Sequence, residues 1–266
     1  TKPVAFWAWV IDEIHREHPE IVFLAEAFTA PAMMAKLAEV VFAQSYTYFT
    51  WRHSAWELRA YVTELTSHPL VDMMRPSFWP NTPDILDVEL RHAPPSAFAL
   101  RFVLAATLVP LYGIYSGYEL CENEPASETN TEYLHSEKYE IRLRDYDQPQ
   151  TLAPLIRTVN DLRHKHPEVW ALRDVRFHGS DNEQILVYSR GHADSGLLLC
   201  AVNLDPHNPQ ETTVRLDLGA VGLPSDGTYW LRDELTGETY EWHGGAAYVR
   251  LDPTVGQVAH LFHVTV

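Results

Sequence analysis

Two acids stand where strand-like runs give way to loops. Glu26 ends the apolar, β-branched stretch Ile-Val-Phe-Leu-Ala at residues 21–25, which reads as a buried parallel strand feeding a helix after Pro31. In β/α proteins the C-terminal ends of such strands line the active site, so an acid there is a catalytic candidate. A first-turn acid favoured by the dipole of the following helix accounts for Glu26 equally well on its own. Asp84 adds a second acid, in Asn-Thr-Pro-Asp at 81–84 after another strand-like run. Taken alone it is most simply a turn aspartate after Pro83. Two carboxylates on neighbouring loops point to glycosyl chemistry, which needs a pair of them flanking the scissile bond.

The elements that must position these acids alternate. Apolar residues recur at helical spacing over 4–18, with Val4, Trp7, Val10, Ile11 and Ile14 on one face. A strand at 21–25 follows, then a helix over 33–42 and a short aromatic β-prone stretch at 44–49. Ser54 with Glu57 forms a capping-box pattern for a helix reaching about Leu65. A strand-like run at 73–79, a helix at 97–108, a strand at 111–115, a polar loop at 122–150 and a helix at 152–166 complete this part. Helix and strand in alternation imply a parallel sheet with crossover helices. About four strands are present, half of an eight-stranded barrel. Beyond residue 174 the pattern becomes short strands at 184–190, 196–204, 211–218, 228–235, 239–242, 247–251 and 258–266. Turn signals such as Asp226-Gly227, Thr236-Gly237 and Gly244-Gly245 separate them. The fold class expected is therefore α/β over residues 1–173, the second half of a (β/α)8 TIM barrel, followed by an all-β antiparallel sandwich over 174–266.

The totals narrow the function. With 46% apolar and 21% charged residues the chain matches ordinary globular composition, which favours neither disorder nor a membrane class. Arg101 and Pro110 interrupt the longest apolar run, so no bilayer span is expected. A net charge of −16 argues against nucleic acid and anionic membranes as partners and favours a neutral ligand. Cys121 and Cys200 lack a partner motif and read as two buried thiols of a reducing, cytoplasmic protein. Among the 14 histidines no His-Glu-x-x-His appears, and no Cys-x-x-Cys or Gly-x-Gly-x-x-Gly either, so neither a metal nor a nucleotide cofactor is expected.

Five segments carry a more specific resemblance. They are Phe-Leu-Ala-Glu-Ala-Phe at 23–28, Gln-Ser-Tyr-Thr-Tyr-Phe-Thr-Trp-Arg at 44–52, Asn-Thr-Pro-Asp at 81–84, Tyr-Ser-Gly-Tyr-Glu-Leu-Cys-Glu at 115–122 and Ser-Glu-Lys-Tyr-Glu-Ile at 136–141. Together they resemble the bacterial α-1,4-glucan:maltose-1-phosphate maltosyltransferases of the α-amylase superfamily (glycoside hydrolase family 13). Ordinary amylases usually carry a His-Asp pair where Asn-Thr-Pro-Asp stands here. Ala30 and Ala32 replace residues that are basic or polar in the family's pattern, and His135 replaces an acid.

The resemblance implies roles. Glu26 becomes the general acid/base, with a pKa raised towards neutrality by its apolar strand end. Asp84 becomes the transition-state stabiliser that holds the hydroxyls of the sugar in the −1 subsite. Lys138 and Tyr139 grip the second glucose of the maltosyl unit, and Asn81 is a hydrogen-bonder at the cleft rim. Of Tyr46, Tyr48, Phe49, Trp51 and Trp56, one or two are expected to face the cleft; aromatic-rich strands are more often core. The family's nucleophilic Asp is expected upstream of Thr1, so the 266 residues alone are expected to be inactive. The implied partners are α-maltose 1-phosphate and an α-1,4-glucan acceptor, and members are typically homodimers. An amylase-like hydrolase, a trehalose-forming isomerase and a non-catalytic glucan-binding module remain as rival readings.

Overall fold

The computed structural model describes residues 2–265; Thr1, and Val266 at the end of the last expected strand, lie outside the described residues. The first part runs α1 (Val4–Glu17), β1 (Leu24–Ala25), α2 (Pro31–Glu39), β2 (Gln44–Tyr46), α3 (Ala55–Leu65), α4 (Leu70–Met73), β3 (Pro76–Phe78), α5 (Pro95–Leu108), β4 (Leu111–Tyr112) and α6 (Ala153–Lys165). Its four strands are parallel in the order β1-β2-β3-β4. The register sets Ala25 opposite Ser45, Tyr46 opposite Ser77 and Phe78 opposite Tyr112, so the loops that follow all leave from one end of the sheet.

Several boundaries differ from the sequence reading. The strand expected to be buried over 21–25 shrinks to two residues at the sheet edge, leaving Val22 64% and Leu24 55% exposed. Residues 47–49 leave the second strand for a 3-10 turn at Tyr48–Trp51. The Thr47 and Thr50 hydroxyls hold that turn across β3, donating to the Ser77 and Trp79 carbonyls at 3.0 and 2.7 Å. The capping box of α3 is present, with Glu57 N–H donating to Ser54 Oγ at 3.2 Å and Ser54 N–H to Glu57 Oε2 at 3.1 Å.

The second part comprises β5 (Val175–Phe177), β6 (Gly179–Ser180), β7 (Ile185–His192), β8 (Gly196–Asn203), β9 (Gln210–Arg215), α7 (Leu218–Val221), β10 (Thr228–Asp233), β11 (Thr239–His243), β12 (Ala246–Leu251) and β13 (Ala259–Thr265). A six-stranded sheet, β11-β10-β13-β8-β7-β5, faces a three-stranded one, β12-β9-β6. The strand expected over 211–218 stops at Arg215 because the Asp217 carboxylate caps α7, accepting from Ala220 N–H at 3.1 Å. Gly237 and Gly244 adopt φ values of +78° and +66°, the left-handed backbone their turns require.

Residues of the parallel part and of the six-stranded sheet share one core. Ala97 through Leu108 of α5 are all buried, because the helix lies between the parallel sheet and the outer face of β7 and β8. Leu186 and Tyr188 pack towards α5, with Tyr188 Oη 2.5 Å from Thr107 Oγ1, while Ile185 and Val187 face the sandwich interior. Burial on both faces explains why these strands read as continuous apolar runs instead of alternating. Both cysteines are free thiols; Cys200 is buried as expected, whereas Cys121 is only half-buried. Burial pushes Cys121 up to about 11 and Cys200 to about 12, so neither is a reactive thiolate near neutrality.

His178, 4% exposed, lies with Nε2 at 2.9 Å from Ser189 Oγ and its Nδ1 unpartnered. Desolvation first, and the charge of Arg59 second, lower its pKa from 6.5 to about 4. Between these values the unfolded chain binds a proton that the folded chain refuses, so stability rises with pH across that window. Acidification from pH 6.5 to 4 is expected to cost up to about 3 kcal/mol through this group. His178→Gln should flatten the corresponding slope in urea unfolding measured from pH 4.5 to 7; an unchanged slope refutes the assignment.

Candidate active site

The loops leaving the carboxyl end of the parallel sheet carry most of the candidate residues. Glu26 follows β1 directly. It reaches solvent, yet partial burial against the strand ends and, secondarily, the negative charge of Asp84 raise its carboxyl above the ordinary range. Tyr46, at the end of β2, stands close enough that the Glu26 charge adds to burial in raising its phenol. Its ring stacks on Trp79 at 4.8 Å, and Phe28 packs edge-on against Tyr46 and Trp51 at 6.0 and 5.3 Å. A Cβ at position 113 would come 2.2 Å from Cζ2 of Trp79, so this aromatic wall requires Gly113.

Asp84 sits in a tight turn closed by paired backbone bonds of 3.1 and 3.2 Å between Thr82 and Ile85. Thr131 Oγ1 donates to the Asp84 carbonyl at 3.0 Å, tying the turn to the long polar loop. That loop returns Lys138 to the Asp84 carboxylate, with which its ammonium forms an ion pair. Lys138 also donates to Glu132 Oε1 at 2.8 Å, and Tyr139 Oη to the same oxygen at 3.1 Å. These two carboxylates raise the Lys138 pKa above the ordinary lysine value. Tyr139 is 72% exposed, with the Lys138 ammonium 5.3 Å from its ring centroid.

Four of the five candidate residues thus share this end of the sheet as surface groups: Glu26 and Asp84 electrostatically coupled, Asp84 ion-paired to Lys138, and Tyr139 beside it. Asn81 is placed differently from the expected cleft rim. It is fully buried, accepting from Tyr115 N–H at 3.0 Å and donating to Tyr133 Oη at 2.6 Å. Both ends of its amide are consumed in joining the β3 and β4 loops to the polar loop. Asn81→Leu is expected to cost about 1–3 kcal/mol by leaving Tyr115 N–H unpaired. Thermal unfolding of that variant checks it, and no loss would show that the amide does not hold these loops together.

Of the aromatic candidates, Phe49 is core, stacked on Phe78 at 4.4 Å. Trp56 lies on α3, beside a separate 570 Å³ cavity lined by His178 and Asn182. Sequence reasoning missed Glu132, which holds both Lys138 and Tyr139, and Trp79. A lone acid in a polar loop gives no local signal; the Trp79–Gly113 pairing becomes visible only once β3 and β4 lie side by side. Glu122 anchors the same loop through Arg144 at 2.9 Å and Arg142 at 3.0 Å.

Comparison with known proteins follows the same lines. The family profile described as GLGE, C-terminal, matches residues 177–264. The α-1,4-glucan:maltose-1-phosphate maltosyltransferase 2 of Streptomyces coelicolor is 50% identical over 99% of this chain and 40% of its own length. The maltosyltransferase of Mycolicibacterium smegmatis is 45% identical over 99% of this chain and 38% of its own. Among solved structures, an α-amylase from Geobacillus thermoleovorans, complexed with acarbose, superposes with a TM-score of 0.72 at 16% identity, covering 99% of this chain and 57% of the amylase. The chain therefore has the fold of the second half of an amylase-type barrel with its β-sandwich, and it spans about two fifths of the length of the curated relatives it matches. At these identities, sustained along nearly all its residues, the chain is similar throughout to one part of the α-1,4-glucan:maltose-1-phosphate maltosyltransferases.

Proposed function

We propose that the polypeptide containing this chain moves maltose from α-maltose 1-phosphate to the non-reducing end of an α-1,4-glucan, with retention through a covalent maltosyl-enzyme. Glu26 is the general acid/base: protonated, it releases the leaving phosphate; ionised, it takes the proton of the acceptor hydroxyl. Asp84 binds the hydroxyls of the −1 sugar, and Lys138 and Tyr139 hold the next glucose. The observation that carries this reading is the coupling of Glu26 to Asp84, with Lys138 bridging from the polar loop, at one end of a parallel sheet. In this scheme residues 1–173 supply the chemistry and residues 174–266 brace it through the shared core. The same reading gives a bacterial, cytoplasmic enzyme of glycogen-like glucan synthesis, working as a homodimer and using no metal or redox cofactor in the chemical steps. Among the described residues no helix is long and apolar enough to cross a membrane.

The test is phosphate release from α-maltose 1-phosphate with maltohexaose, using the whole natural polypeptide that contains these residues. Release that depends on the acceptor supports the transferase. Starch hydrolysis without phosphate release would make it an amylase-like hydrolase instead.

A further inference from the structure

A second cluster of chemistry-bearing side chains lies where the two parts of the molecule meet. His166 follows the end of α6, Glu234 follows β10, and His263 is on β13, opposite Arg232 of β10. Each offers one ligand atom, and these atoms all lie within 4.8 Å of one another. The imidazoles of His166 and His263 are 4.5 Å apart between centroids. His166 is 8% exposed, and the Glu234 side chain 9%. Among the described residues, the ion-pair partner of Glu234 is Lys165, a surface group at 3.9 Å.

Glu168 supplies an independent observation. It is 9% exposed, and its Oε1 has no hydrogen-bond partner although it lies 3.2 Å from Nδ1 of His166. Gly191 and Gly196 make room for it: a Cβ at 191 would come 2.8 Å from Cβ of Glu168, and one at 196 would come 2.9 Å from its Oε2. A buried carboxylate oxygen left without a hydrogen bond is costly unless a charge answers it, and the group facing this one is the His166 imidazole. Its place beside the ring nitrogen of His166 is that of the outer-shell acid which fixes the tautomer of a metal-bound histidine.

We propose that His166, Glu234 and His263 bind a divalent transition metal of the zinc type, with Glu168 orienting His166. Two imidazole nitrogens and one carboxylate oxygen form a three-ligand set suited to zinc, which completes its tetrahedron with water. Ligand bonds of about 2.0–2.2 Å require only small side-chain movements from the observed spacing. The ion would clamp the end of α6 to two strands of the six-stranded sheet. Spacing along the chain carries no hint of it, because three separate elements contribute one ligand each.

The test uses the whole natural polypeptide that contains these residues, purified without a histidine tag and stripped with chelator. Zn²⁺ retained after gel filtration is counted, and Co²⁺ is added as a spectroscopic probe. Expected are one equivalent of Zn²⁺ per chain, the visible absorption of four-coordinate Co²⁺, and a higher melting temperature with Zn²⁺. His263→Gln and Glu234→Gln should each abolish the Co²⁺ spectrum with the far-ultraviolet dichroism unchanged. Glu168→Gln should retain the ion at about 10–100-fold lower affinity. Should His263→Gln fail to fold, Glu234→Gln decides the matter. No stoichiometric binding, or binding that survives Glu234→Gln unchanged, overturns the proposal.

Discussion

Glu26→Gln in the complete enzyme is expected to slow maltosyl transfer by about 10²–10⁴-fold, the usual worth of a positioned general acid/base. Glutamine keeps the shape and loses the proton, so acceptor and donor binding should change little and the loss should fall on kcat. The raised carboxyl pKa gives the prediction a second handle. Partial burial, and then the Asp84 charge, favour the protonated form, so that form persists to higher pH than for an ordinary glutamate. The alkaline limb of the kcat/KM profile should therefore lie above the usual carboxylate range. Asp84→Asn removes one of the two causes and should move the limb of its residual activity to lower pH. Near wild-type turnover in Glu26→Gln would remove Glu26 from the chemistry altogether.

Arg190→Met is expected to destabilise the fold by about 3–5 kcal/mol, measured by urea unfolding. Arg190 is fully buried on β7 and meets three carbonyls: Leu108 at 2.5 Å, Ala171 at 2.7 Å and Val169 at 2.8 Å. Those acceptors belong to the end of α5 and to the turn after α6, so one guanidinium joins both to the six-stranded sheet. Desolvation lowers its pKa to about 10, which still leaves it charged at neutrality. Each carbonyl left unpaired costs about 1–3 kcal/mol, partly offset because a buried charge is no longer desolvated. Arg190→Lys should recover only a fraction, since an ammonium is a point donor and lacks the planar fork that spans the three acceptors. A loss under about 1 kcal/mol in the methionine variant would show that the junction is held by apolar packing alone.

Much of the layout was legible before any coordinates. Periodicity located the longer helices of the first part but not α4, and the Ser54–Glu57 spacing located the start of α3. Gly-containing turn signals separated the antiparallel strands, and both Glu26 and Asp84 were placed on loops that follow parallel strands. These are local properties: a repeat of 3.6 or 2, a cap, a backbone that only glycine accepts readily. What escaped was set by residues far apart in the chain. The apolar run before Glu26 reads as a buried strand, yet its exposure depends on which neighbours pair with it, and β1 lies at the edge. Asn81 reads as a rim residue, yet it is buried because Tyr115 and Tyr133 claim both ends of its amide.

The same distinction governs the site and the junction. The sequence by itself determined which side chains are chemically able: two acids at strand ends, a lysine and a tyrosine in a polar loop. Only the tertiary structure decided that Lys138 crosses 54 positions to meet Asp84, and that Asp84 acts on Glu26. It also decided that α5 is buried all round, that β7 and β8 are covered on both faces, and that His166, Glu234 and His263 converge. The physical reason is that burial, pairing and desolvation are properties of surfaces brought together by folding, while composition and spacing describe only what each surface has to offer.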